Sequence, residues 1–264
     1  MSPGPDGTVV FITGAASGIG HATAAAFAAK RAHLGLIDCN EPGLAVVVDE
    51  LRAQGVKVES AVADLATAEG VRESVGALLA TYGDRVDVLV NNAGVLRVGT
   101  FDEATDDDWQ EAFNVHVMGA VRACRLVLPL MREQGGGCIL FVVSDLARHP
   151  KGIAPHYEAS KTSLLSLIEI LAMEGGLHGI RINGVAPGPT DTPMLGPLKA
   201  RLATQSDLPE EQAMREELRR RGQALGGRLV RPDEVAAALV FLASNEAITG
   251  AVLSVDGGTL GGLP

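Results

Sequence analysis

Residues 8–20 read TVVFITGAASGIG and lead directly into a helical pattern at His21. The apolar and β-branched run forms a short strand, and glycines follow at 14, 18 and 20. Glycine adopts backbone angles barred to other residues and lets the chain pass close to a ligand. The helix behind it presents free amides and the positive end of its dipole, which suits a pyrophosphate. A strand before and a helix after give the glycine triplet a meaning that an isolated one lacks. A tight structural βα turn is the plain alternative. Gly14, Ser17, Gly18, Ile19 and Gly20 are therefore the first candidate cofactor-binding residues.

The same alternation continues along the chain. Apolar runs at 8–12, 33–38, 56–63, 86–91, 138–144, 180–186 and 251–256 read as strands. Amphipathic or alanine-rich stretches at 18–31, 41–54, 67–82, 105–134, 155–178 and 231–244 read as helices. Continuous apolar strands separated by helices mean βαβ units and a parallel sheet covered on both faces. Right-handed crossovers make this a Rossmann-type, doubly wound α/β fold. No linker, repeat or low-complexity tract divides residues 1–264, so one domain is expected. Only 190–227 breaks the rhythm, with helical patterns interrupted by prolines and glycines. A long insertion on the side where cofactors bind is expected to serve as a substrate lid. A solvated helical excursion is the bland alternative, because EEQAMREELRRR has the look of a charged surface helix.

Asp38 ends the second strand, eighteen residues after Gly20. A carboxylate there accepts hydrogen bonds from ribose hydroxyls and repels the additional phosphate of NADP. No Arg or Lys stands near the glycine turn to replace it, so NAD is the expected cofactor. Taken alone, Asp38 would as readily be a solvated strand end or a helix cap.

The bulk numbers limit what else the protein can be. Hydrophobic residues make up 47% but aromatic ones only 3%, a core of Ala, Val, Leu and Ile suited to helices on a parallel sheet. A formal net charge of −10 argues against nucleic acid as a partner. Cys39, Cys124 and Cys138 have no metal-like spacing and are too few for a disulfide framework, so reduced thiols in a cytoplasmic protein are expected. The first residues lack a basic segment and read as the approach to a strand rather than a leader. No stretch approaches the roughly 18 uninterrupted apolar residues of a membrane span, and no metal motif is present.

Ser144 ends an apolar run, Tyr157 follows thirteen residues later, and Lys161 four after that. On a helix a spacing of four places the phenol and the ammonium on one face. A free phenol has a pKa of about 10 and is a poor base at neutral pH. Lys161 and an oxidised nicotinamide would favour the phenolate. A lowering of roughly three units takes about 4 kcal/mol, reasonable for two close charges in a partly dry site. In the reverse direction neutral Tyr157 donates a proton to a developing alkoxide, and Ser144 supplies a second hydrogen bond. The neighbouring histidines 116, 149 and 156 lie close in sequence, but His156 points about 100° away from Tyr157 on a helix and reads as structural or substrate-lining.

With these residues in hand, the chain resembles the short-chain dehydrogenase/reductase family over about residues 7–258. The motifs are TGAASGIG, Asp64-Leu65, NNAG at 91–94, Asn114 in FNVHVMG, Ser144, YEASK at 157–161, RINGVAPG at 181–188 and VDGG at 255–258. The resemblance implies that Tyr157 is the acid/base and that Lys161 is its partner and holds the nicotinamide ribose. It implies that Ser144 orients the substrate oxygen and that Asn114 holds a water linking Lys161 to solvent. Asp64, with Leu65 beside it, would meet the adenine, and Asn91, Ala93 and Gly94 would line the adenosine and ribose side. Pro187, Gly188, Thr190 and Thr192 match the segment that fixes the nicotinamide. Two positions depart from the family's habit: Thr190 is often aliphatic, and Asp145 stands where a small or apolar residue is commoner.

The expected function is an NAD-dependent oxidoreductase interconverting a secondary alcohol and a ketone. An NADPH-dependent ketoacyl reductase and a non-catalytic NAD-binding scaffold or sensor are the alternatives. A small-molecule alcohol or ketone is the expected partner, with no membrane involved, and the family suggests a homotetramer, or else a dimer.

Overall fold

A computed structural model describes residues 7–220 and 222–259. The reading of the first residues as leaderless lies outside them. In chain order the elements begin with β1 (Val9–Thr13), α1 (Gly18–Ala28), β2 (His33–Asp38), α2 (Glu41–Ala53), β3 (Val58–Val62), α3 (Ala68–Thr81) and β4 (Val88–Asn91). There follow α4 (Asp106–Phe113), α5 (Ala120–Glu133), β5 (Gly137–Val142), α6 (Pro155–Gly176) and β6 (Ile180–Pro187). The last are α7 (Gly196–Ser206), α8 (Glu210–Arg220), α9 (Pro232–Ser244) and β7 (Val252–Val255).

The strands form one parallel sheet in the order β3-β2-β1-β4-β5-β6-β7. The order reverses between β1 and β4, and the strand ends at such a switch point open a crevice for ligands. Alternation along β1 shows why both faces must be covered. Val9 and Phe11 join Leu89, Phe141, Val127 and Ile168 in the core beneath α3, α5 and α6. Val10 and Ile12 join Leu34, Leu36, Leu140 and Leu239 in the core beneath α1, α2 and α9. Successive strand side chains point to opposite faces, so an all-apolar strand needs helices on both.

Local chemistry starts several helices. Asn40 Oδ1 accepts the Gly43 amide (3.2 Å) ahead of α2, and Thr67 Oγ1 accepts the Gly70 amide (3.0 Å) ahead of α3. Thr105 and Asp108 form a reciprocal capping box at α4.

The expected helix over 105–134 is not continuous. Residues Asn114–Gly119 form a π-helical turn between α4 and α5. One extra residue in the turn rotates the following side chains, and both His116 and Gly119 become buried. Gly119 packs so closely on the Leu65 carbonyl that a Cβ would come within 3.1 Å of it.

Segment 190–227 contains α7 and α8 and is bounded by an isolated parallel bridge between Thr190 and Val230. Its apolar side chains Leu195, Leu198, Met214 and Leu218 make a small separate core, with Ile153 packed against it. Lys199 Nζ joins Asp191 (3.2 Å) to Glu211 (2.9 Å) across the segment. Among the described residues no helix is long and apolar enough to cross a membrane.

Candidate active site

The glycine turn occupies the gap between β1 and α1. Gly14 (φ +66°) and Gly18 (φ +52°) adopt left-handed angles, and a Cβ on Gly20 would lie 1.9 Å from the Gly14 carbonyl. No other residue fits there. The turn is also tied from outside. Asn92 Nδ2 donates to the carbonyls of Thr13 and Gly14, both at 2.9 Å. Thr13 Oγ1 accepts the amides of Asn92 and Ala93, both at 3.0 Å. Asp38 closes the other side: Oδ2 accepts the Ala16 amide (2.9 Å) and Oδ1 the Asn40 amide (2.8 Å). A cradle of close backbone with a carboxylate at its edge fits an adenosine dinucleotide.

A cavity of about 260 Å³ runs from this turn to the ends of β5 and β6. Gly14, Ser17, Gly18, Ile19 and Asp38 line its first part, with Asn92 and Gly94 from the β4 loop. Pro187, Gly188, Thr190 and Thr192 follow from the end of β6. Ser144, Tyr157 and Lys161 form a wall of the same cavity. Other candidates lie elsewhere. Gly20 is behind the turn, and Leu65 is buried in the core. Asp64 Oδ1 accepts the Ala66 amide (2.9 Å), while Asn91 directs its Nδ2 at Cys124 Sγ (3.7 Å). Asn91, Ala93 and Leu65 line a small separate void beside Lys161. Asn114 opens the π-helical turn, which packs on α6, and is not in the cavity wall.

Ser144 follows β5 in extended conformation, and its Oγ accepts the Leu146 amide (3.2 Å) and donates to Asp145 Oδ1 (3.1 Å). Tyr157 and Lys161 stand one turn apart on α6, with Lys161 Nζ 5.7 Å from the centre of the Tyr157 ring. Nζ donates to the Val142 carbonyl at 2.8 Å. Burial pushes the Tyr157 phenol up to about 12; a hydrogen bond from Ser144 opposes this, and the charges of Asp145 and Glu158 add to it. Burial pulls the Lys161 ammonium down to about 7. The expected lowering of the phenol is therefore not achieved by the protein's own groups. Desolvation outweighs the nearby amine, whose Nζ is turned towards the Val142 carbonyl.

Three further residues shape this wall. His116, from the π-helical turn, meets the Tyr157 ring edge-on at 5.3 Å. Its Nε2 accepts the Val95 amide (2.9 Å), so Nδ1 carries the hydrogen and donates to Ser160 Oγ (2.7 Å), which donates to the Tyr157 carbonyl (2.8 Å). Burial, and then the Lys161 charge, hold His116 well below the usual histidine range. Glu158 gathers four backbone amides of the loop before α6. Oε2 accepts Lys151 (2.9 Å) and Gly152 (3.0 Å), and Oε1 accepts Ile153 (2.9 Å) and Ala154 (3.3 Å). His156, by contrast, faces Trp109 at 6.2 Å rather than the cavity.

In the sequence His116 is near the site only by number, and its motifs assign nothing to Asn92 or Glu158. A glutamate in the first turn of a helix behind a glycine-containing loop was the available signal for Glu158. Among the described residues, no group of three or more metal-binding side chains occurs.

Residues 8–203 match the family described as short chain dehydrogenase. The chain is 35% identical over 257 residues to 3-oxoacyl-[acyl-carrier-protein] reductase FabG of Thermotoga maritima, covering 96% of this chain and 98% of that protein. It is 35% identical over 255 residues to D-threitol dehydrogenase of Mycolicibacterium smegmatis, covering 96% and 93% respectively. L-sorbose reductase from Gluconobacter frateurii, solved in complex with NADPH and L-sorbose, superposes over 100% of both chains with a TM-score of 0.91 and 34% identity.

Proposed function

The chain belongs to the short-chain dehydrogenase/reductase family of oxidoreductases, and from that premise we propose that it interconverts a secondary alcohol and a ketone with NAD. The observation that carries this reading is the shared cavity, which has the glycine turn at one end and Ser144, Tyr157 and Lys161 on the wall of the other. The nicotinamide, when bound, supplies the acceptor or donor of hydride. Gly14, Ser17, Gly18, Ile19 and Asp38 would hold its adenosine diphosphate part, and Pro187, Gly188, Thr190 and Thr192 its nicotinamide end. Gly94 would approach the sugar, with Asp64, Leu65, Asn91 and Ala93 giving support from behind. Asn114 would link Lys161 to solvent.

Tyr157 handles the proton. In oxidation its phenolate takes the hydroxyl proton as the carbon loses hydride; in reduction its phenol returns a proton to the carbonyl oxygen. Raised to about 12 in the protein alone, the phenol carries the proton that reduction requires, and the positive charge of the oxidised nicotinamide would favour the phenolate for the reverse direction. Lys161, whose ammonium burial pulls down to about 7, would donate hydrogen bonds to the ribose while standing one helical turn from the phenol. Ser144 is positioned to donate to the oxygen that changes charge.

Asp38 at the edge of the turn favours NAD, because contact between its carboxylate and the additional phosphate of NADP would be repulsive. NADPH use is the second reading, favoured by the NADPH in the similar sorbose reductase. Segment 190–227 brings Met194, Leu195 and Leu198 to the cavity and suits a lid over the substrate. Exposed Ile170 and Met173 on α6, with Leu177 just beyond its end, support a homo-oligomer, a tetramer or else a dimer. The free thiols fit a cytoplasmic location. The test is nicotinamide absorbance over a panel of alcohols and ketones. Tyr157→Phe should fold, bind NAD and lose about a thousandfold or more in turnover, within the range of general acid–base catalysis and oxyanion stabilisation combined. Full activity in that variant would sink the mechanism.

A further inference from the structure

We propose that Asp145 selects substrates with a second hydroxyl on the carbon next to the reacting one: a vicinal diol in oxidation, an α-hydroxy ketone in reduction. The proposal rests on the oxidoreductase reading and narrows its substrate.

Asp145 is only 7% exposed and lines the cavity beside Ser144. Besides Tyr157 and Lys161, the same cavity is lined by the apolar side chains Leu96, Leu146, Ile153, Met194, Leu195 and Leu198. A carboxylate kept in such a wall is costly unless donors meet it. Asp145 Oδ1 accepts the Leu146 amide (2.9 Å) and the hydroxyl of Ser144 (3.1 Å).

The second bond matters for catalysis. A serine hydroxyl has one proton to donate. Here Asp145 Oδ1 lies 3.1 Å from the serine oxygen and competes for that proton, which Tyr157 and the reacting oxygen also draw on. A substrate with a single oxygen must draw the proton away from a charged acceptor, the stronger kind of partner. A substrate with a neighbouring hydroxyl donates to Asp145 itself and leaves the serine proton for the reacting oxygen. The oxygens of a gauche diol lie about one hydrogen-bond length apart, and Ser144 Oγ and Asp145 Oδ1 are separated by 3.1 Å, so two oxygens face two. Asp145 neither gains nor loses a proton in this account; hydride and proton follow the paths already described. A 2-oxo acid would instead set its own carboxylate against Asp145 and be turned away.

The experiment measures kcat/KM for matched ketone pairs of increasing size, beginning with acetoin and butanone, with pyruvate as the acidic probe. Wild-type protein should prefer the hydroxy ketone by about tenfold or more, which corresponds to ~1.4 kcal/mol. Asp145→Ala should bring that ratio to within about threefold of unity. Asp145→Asn, which keeps the size of the side chain, should raise pyruvate relative to butanone by about tenfold. Thermal unfolding checks that both variants fold. A wild-type ratio near one, or ratios that neither variant moves, would overturn the role of Asp145 while leaving the oxidoreductase reading intact. No turnover of any pair with either nicotinamide cofactor would overturn both.

Discussion

Glu158→Gln tests the most densely bonded side chain of the site wall. Each carboxylate oxygen of Glu158 accepts two backbone amides, at 2.9–3.0 Å for Oε2 and 2.9–3.3 Å for Oε1. Glutamine keeps one oxygen and replaces the other with an NH2 group, which donates and cannot accept. Whichever way the amide turns, two amides of 151–154 face a donor. Lys151 and Gly152 are exposed, so glutamine would turn its NH2 towards their amides, which water can partly satisfy, and the substitution should cost about 1–3 kcal/mol in all. For a chain of this size ~1 kcal/mol moves Tm by about 2–4 °C, and a fall of at least about 2 °C is expected. The loop also carries Ile153, which lines the cavity, and it holds the start of α6, where Tyr157 sits. Turnover should therefore fall with stability, KM rising as the wall loosens. Thermal unfolding, amide exchange at 151–154 and steady-state kinetics read the three effects. A Tm within about 1 °C of wild type, with exchange at those amides unchanged, would refute the reasoning, because four such bonds cannot be lost by half without consequence.

Two further predictions concern charge. A phosphate about 4 Å from Asp38 would feel roughly 4 kcal/mol of repulsion at an effective dielectric near 20, so NADH should be preferred to NADPH by up to about a thousandfold in kcat/KM. Asp38→Asn should erase most of that ratio, and added salt should weaken it in the wild type; an outright NADPH preference in the wild type would refute the assignment. Lys161 is held near 7 by burial, below the ordinary lysine value, so between pH 7 and pH 10 the unfolded chain binds the extra proton and stability must rise with pH. The Tm of the cofactor-free protein relative to Lys161→Met should accordingly climb over that window, and a flat difference would show that the amine is not desolvated.

Much of the molecule could be read from periodicity. Alternating apolar runs and helical stretches set the number and order of the strands, since a strand that is apolar on both sides must lie between helices. The glycines at 14, 18 and 20 marked the first turn, where the +66° angle at Gly14 and the 1.9 Å approach at Gly20 leave no room for a Cβ. The Tyr157–Lys161 pair was legible as well, because residues four apart share a helix face. The break of 105–134 at the π-helical turn was not, since its sequence fits an ordinary helix and the approach of Gly119 to the Leu65 carbonyl joins segments far apart in the chain.

Contacts between distant parts of the chain were decided only in three dimensions. Asn92 reaches Thr13 across seventy-nine residues, and His116 reaches Ser160 across forty-four, because the sheet order places β4 beside β1 and the π-helical turn beside α6. The balance of charge was settled there too. From sequence, Lys161 and an oxidised nicotinamide together favour a phenolate; in the fold, with Lys161 buried and Tyr157 half-buried, desolvation drives the phenol up and the amine down before any cofactor charge is added. Sequence by itself determined which residues share a strand or a helix face, because local spacing is set by backbone geometry. Tertiary structure alone decided how dry each group is and that Tyr157 on α6 stands against Ser144, because both depend on neighbours that other elements bring in.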